Sequence, residues 1–191
     1  MNRNEAWTLL NEYTTNPRLL NHALAVEACM RAYARKFGED EETWGLIGLL
    51  HDFDYEQYPT IPDHPLQGER ILAERGVSEG IRYAICSHAD FLADQYPRKT
   101  TLHHVLYAVD ELSGLVVATA LVRPTKSIFD VDVEGVRKKM KDKRFAAGVN
   151  REEVVQGAEE LGVDLNEHIG FVIEALKGAA DALGLRGVPQ G

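Results

Sequence analysis

Apolar residues recur at three- and four-residue intervals through most of the chain, and no stretch keeps the strict alternation of a half-buried strand. The pattern predicts helix over about 2–13, then a second helix that starts after Asn16-Pro17 and stops at Gly38, proline suiting a first turn and glycine a last one. A third opens at Asp40-Glu41, with acids complementing the helix dipole, and ends around His51-Asp52. After the loop FDYEQYPTIPD come segments 65–75, stopped by Gly76, and 78–89, opened by Ser78. A polar loop, 90–100, leads to a long apolar helix from Thr100/Thr101 to about Val122, halted by Pro124. Beyond the loop RPTKSIFDVD lie three more helical stretches, about 132–143, 150–161 and 165–184. No repeat and no Gly/Ser/Pro-rich linker divides the chain. The expectation is one all-α domain over 1–191, a compact helical bundle with additional C-terminal helices.

Composition narrows the class. A chain of 191 residues with 45% hydrophobic and 27% charged residues is ordinary globular material. The net charge of −9 is spread along the chain and disfavours non-specific binding to nucleic-acid phosphates, so no nucleic-acid polymer is expected as partner. Cys29 and Cys86 sit singly inside helical patterns, without CxxC spacing, and read as core thiols of a reducing compartment. No apolar run reads as a membrane span and the N-terminus is too polar for a signal peptide, so the expected location is the cytoplasm.

One stretch resists a purely structural account. In WGLIGLLHDFDYE (44–56) an apolar helical run ends in His51-Asp52, and a buried, unpaired carboxylate costs several kcal/mol, on the order of a lost core side chain. Further polar residues fall at comparable places. His22 lies in LLNHALAVEACM, His64 opens 65–75, His88 closes the next helix, and Asp110 interrupts HHVLYAVDELSGLVVA. Any one of them could be a satisfied core residue. Taken together, six imidazole and carboxylate donors on five successive helices would need six separate hydrogen-bond solutions, whereas one shared cation satisfies all of them, and this donor set suits iron, manganese, zinc, cobalt or nickel.

The order His22…His51-Asp52…His64…His88…Asp110, set in the contexts GLLHD, HPLQGERIL, AICSH and YAVDELSG, resembles the HD-domain superfamily of metal-dependent phosphohydrolases over about residues 17–115. By that resemblance His22, His51, Asp52 and Asp110 match the ligands of a one-metal site. His64 and His88 match the extra pair of two-metal members, in which the doublet aspartate bridges the ions, so Asp52 is the expected catalytic residue and two divalent ions the expected cofactor. The implied function is hydrolysis of a small phosphorylated molecule, most naturally a nucleotide, by a metal-bound hydroxide. The alternative is an HD-type mixed-valent di-iron oxygenase acting on a small polar substrate, because the two activities share these ligands.

The chain departs from the family pattern at Tyr55, where relatives carry lysine or glutamate, and at Ala89, where some carry a second histidine. Asp54 and Glu56 read as exposed loop acids or caps, with a general acid as the other option, and Asp63 as an orienting partner of His64 or a turn residue. Arg98 and Lys99, in the loop after His88, and Arg123 and Lys126 are weak candidates for substrate phosphate. The last two lie more than three turns beyond Asp110, nearly 20 Å at about 1.5 Å per residue. His103 shares a helical face with Asp110, and His168 has no evident partner. The region from FAAGVN onward is expected either to cover the pocket or to form a homodimer face.

Overall fold

The structure is a computed structural model and describes residues 1–188. It is all-α. Among the described residues there are nine α-helices and no strand. These are α1 (Arg3–Tyr13), α2 (Pro17–Phe37), α3 (Glu41–Leu50), α4 (Asp63–Glu74), α5 (Glu79–Cys86), α6 (Thr101–Leu121), α7 (Val133–Lys141), α8 (Arg151–Leu161) and α9 (Leu165–Gly178). The chain divides into two compact units, Met1–Tyr107 and Ala108–Gly191, and the boundary falls inside α6.

Local chemistry explains the helix ends of the first unit. Asn2 accepts from the Glu5 amide while Glu5 reaches back to the Asn2 amide, a reciprocal cap on α1. Asn16 caps α2 ahead of Pro17, and Gly38, at φ 72°, closes it in the left-handed conformation that glycine adopts without strain. Asp40 then caps α3 through the Thr43 amide, so three residues turn the chain back along α2. The two helices approach closely at Gly48. A Cβ there would lie 2.9 Å from Met30 Cγ and 3.0 Å from the Val26 carbonyl oxygen. Leu9, Leu10, Val26, Met30, Tyr33, Ile47, Leu49, Leu50, Phe53 and Leu72 fill the core of this unit.

Three boundaries differ from the periodicity. Helix α4 starts at Asp63, but His64 is extended (φ −79°, ψ 134°), because a residue before proline is driven out of the helical region. Helix α5 ends at Cys86, which leaves His88 just past it, and a single 3₁₀ turn, Asp90–Leu92, interrupts the expected loop. The last helix stops at Gly178.

In the second unit, α8 meets the α6 backbone at Gly157, where a Cβ would fall 2.7 Å from Ala108 Cα. The segments around Ser127 and Arg186 form an isolated antiparallel bridge. The FAAGVN loop is held by Arg151, whose guanidinium donates to the carbonyls of Phe145, Ala146 and Val149. Helix α6, at 21 residues, is long and apolar enough to cross a membrane by length and composition. It also carries His103, His104, Asp110 and Glu111, and most of its apolar side chains are buried, as in a core helix.

Candidate metal centre

Five of the six expected ligands lie in the first unit, and there they converge. His22 projects from the second turn of α2. His51 is the C-terminal cap of α3, with Asp52 next to it. His64 is turned by its extended backbone, and His88 sits just beyond α5. His51 is fully buried, whereas the side chains of His22 and Asp52 keep 21% and 22% of their exposure, so the cluster meets solvent on their side.

The two oxygens of Asp52 face different histidines. Oδ2 lies 3.5 Å from His51 Nε2 and 3.9 Å from His22 Nε2. Oδ1 lies 3.1 Å from His64 Nε2 and 3.4 Å from His88 Nε2. His22 Nε2 and His51 Nε2 are 3.2 Å apart. Two donors bound to one ion at about 2.1 Å stand about 3.0–3.4 Å apart, depending on whether they subtend a right or a tetrahedral angle. Two three-donor groups, His22/His51/Asp52 and Asp52/His64/His88, therefore share one carboxylate.

The histidines are presented in the form a cation needs. The Nδ1–H of His51 donates to the Gly48 carbonyl (2.8 Å), that of His88 to the Ile85 carbonyl (2.6 Å), and that of His64 to Asp54 Oδ1 (2.7 Å). Each bond places a ring proton on Nδ1, so that Nε2, the atom facing Asp52, is the one that can give its lone pair to a cation once any second proton is displaced. Burial alone would raise the pKa of Asp52, but His51, His64 and His88 outweigh it and hold the carboxyl well below its usual range. Burial pulls His64 the other way, toward the neutral form. Its bonds to Asp52 and Asp54 prevail and push it up to about 10. Negative charge thus dominates around this imidazole, and a divalent cation relieves that imbalance as a proton does. The donor set and its tautomers fit a metal.

Asp54 is where the sequence reading needs correction. It is neither an exposed loop acid nor a cap on a helix end; it is 1% exposed and backs His64. Its second oxygen accepts the Gly68 amide at 2.7 Å. Asp63 instead accepts from Thr60 and Gln67, as a turn residue does. Glu56 is the exposed acid it was expected to be, and it holds the turn before α2 by accepting from the amides of Thr15 and Asn16. The backbone accounts for its position: turns continue past the doublet, with the Tyr55 amide donating to the Asp52 carbonyl and the Tyr58 amide to that of Asp54. Tyr55, 40% exposed, packs edge-on against His64 with ring centroids 5.3 Å apart.

The basic candidates have other partners. Arg98 donates to Asp90 (2.9 Å) and to the Ser87 carbonyl, and its guanidinium lies 3.7 Å over the Tyr107 ring, so it fastens its loop. Lys99 lies over Tyr83, and its amide donates to His103 Nδ1. His103 packs on Tyr83, and burial lowers its pKa, with help from His104 and Lys99. In the second unit Arg123 lies 3.6 Å from Asp132, Lys126 is an exposed turn residue at φ 51°, and Asp110 is a half-buried residue of α6. His168 does have a partner there: its Nε2–H donates to the Ala108 carbonyl at 2.9 Å.

An all-α fold that gathers four imidazoles around a shared carboxylate has a donor set compatible with a metal site. The HD-domain family model matches residues 19–115, half of the chain, and the chain belongs to that family, whose members are usually metal-dependent phosphohydrolases. No curated protein and no solved structure matches the chain.

Proposed function

We propose that the protein is a cytoplasmic metal-dependent phosphohydrolase that cleaves a phosphoric ester or anhydride in a small molecule, a nucleotide by preference. In this reading His22, His51 and Asp52 hold one ion, and Asp52, His64 and His88 hold a second. The observation that carries it is the division of Asp52, one oxygen toward each pair of imidazoles. When bound, a pair of divalent ions supplies an acidified water and charge to steady the phosphoryl group. The chain's own part is to hold that charge at a fixed, partly open position. Asp52 would serve both ions, the Nδ1 partners aim the rings, and Tyr55, partly exposed beside His64, would meet the substrate body. Arg82 and Arg98 are already paired with Glu69 and Asp90, so the substrate's negative charge is answered chiefly by the ions.

The test begins with elemental analysis of protein purified without chelator. Phosphate release is then assayed over a panel of nucleotides and phosphomonoesters with manganese, cobalt or nickel. Turnover without oxygen supports the proposal. Silence across the whole panel, together with oxygen consumption by the iron-loaded protein, would replace it with the oxygenase.

A further inference from the structure

The backing of the imidazoles is unequal. His51 and His88 each give the Nδ1 proton to a neutral carbonyl three residues earlier, so their support is local. His64 gives its proton to an anion ten residues away, Asp54, whose position depends on tertiary structure. Asp54 is fixed in turn. One oxygen receives His64 Nδ1–H and the other receives the Gly68 amide, both at 2.7 Å. Gly68 admits this carboxylate because it has no side chain: a Cβ would lie 2.8 Å from Asp54 Cγ and within 3.0 Å of both oxygens. Helix α4 therefore carries a ligand and, four residues on, the notch that seats the ligand's anion. A carboxylate behind a histidine makes the ring a stronger donor and fixes its plane.

We infer that Asp54, seated by Gly68, is a positioning residue that sets metal affinity in one half of the centre, that of His64, His88 and Asp52, and leaves the half of His22, His51 and Asp52 unchanged. The inference rests on the two-ion reading above and adds that the two halves load independently tunable ions. Neither Asp54 nor Gly68 touches the ions themselves. Both act through the His64 ring.

The experiment titrates cobalt(II) into the metal-free full-length chain, following heat and the visible ligand-field absorption, with Asp54→Asn, Gly68→Ala and His64→Ala in parallel. The wild type is expected to take two ions. Asp54→Asn and Gly68→Ala should keep one at wild-type affinity and bind the second about 10- to 100-fold more weakly, matching His64→Ala in spectrum and stoichiometry. Gly68→Ala is the decisive arm, since it alters no ionisable group and no ligand, and it carries the test if Asp54→Asn does not fold. A purely structural role predicts a lower melting temperature in the metal-free variants with both ions bound as in the wild type, and that result overturns the inference. So does equal weakening of both ions. A wild type that binds no cobalt would remove the metal reading itself, an outcome separable from failure of this asymmetry.

Discussion

At the scale of single residues the centre depends on Asp52, because its one carboxylate faces all four imidazoles and serves both halves. Asp52→Asn keeps the shape and removes the charge that offsets two cations. It should abolish stoichiometric binding of both ions and lower phosphate release by at least about 100-fold, the scale expected when an electrostatic element of a catalytic site is removed. Metal analysis beside a phosphate assay checks this, and retention of two tightly held ions would refute the bridging role. The cysteines show the opposite case of buried groups without chemistry. Cys29 and Cys86 are both fully buried, and burial pushes both thiols up, Cys86 to about 12. A chromogenic disulfide reagent should titrate neither in the native protein and both in guanidinium. Fast reaction of either under native conditions would contradict the burial.

At the scale of elements, the α2–α3 pair aims half of the centre. Gly48 lets the helices approach, and its carbonyl also orients His51, so one position couples packing to ligand geometry. Gly48→Ala forces a methyl group against Met30 and the α2 backbone. The expected cost is about 1–3 kcal/mol, from the overpacking of a filled core. Metal affinity in the His22/His51 half should fall with it, read from denaturant midpoints and cobalt titration of the same variant. Glu27, on α2 and 4% exposed, holds α1 through Arg3 (2.6 and 2.8 Å) and also receives Arg31 (2.9 Å). Both arginines retain contact with water, so Glu27→Gln should cost only about 1–3 kcal/mol, less than a fully buried pair would. A shift in the urea midpoint with unchanged metal stoichiometry would confirm that this network supports the fold and not the chemistry.

For the whole molecule, the three-donor groups found among the described residues lie in Met1–Tyr107. Metal bound only by the folded state adds stability through mass action, about 3 kcal/mol at a hundredfold excess over the dissociation constant. At about 2–4 °C per kcal/mol for a chain of this size, chelation should lower the melting temperature by roughly 5–10 °C, and added manganese or cobalt should restore it. Differential scanning fluorimetry with and without chelator measures this. A melting curve indifferent to both treatments would mean that these residues hold no ion.

The sequence by itself determined the helices, because their stops are local. Asn16-Pro17, Gly38 and Asp40 act on their nearest amides and carbonyls, and the 3.6-residue period appears wherever one face is buried. It also disclosed the donors, since a histidine or aspartate at the end of an apolar run, as in GLLHD, is costly without a partner. Asp54 could not be read in this way. An acid two residues past the doublet looks the same on a line of text whether it points to water or to His64. Its role follows from the inward curl of the chain after Asp52 and from the missing side chain of Gly68, fourteen residues away. The pairing of each Asp52 oxygen with two imidazoles was likewise out of reach, because periodicity tells which face of a helix is buried and not which atoms meet there. Tertiary structure decided those contacts, since a hydrogen bond or a coordination site is specified within tenths of an ångström by every element packed around it.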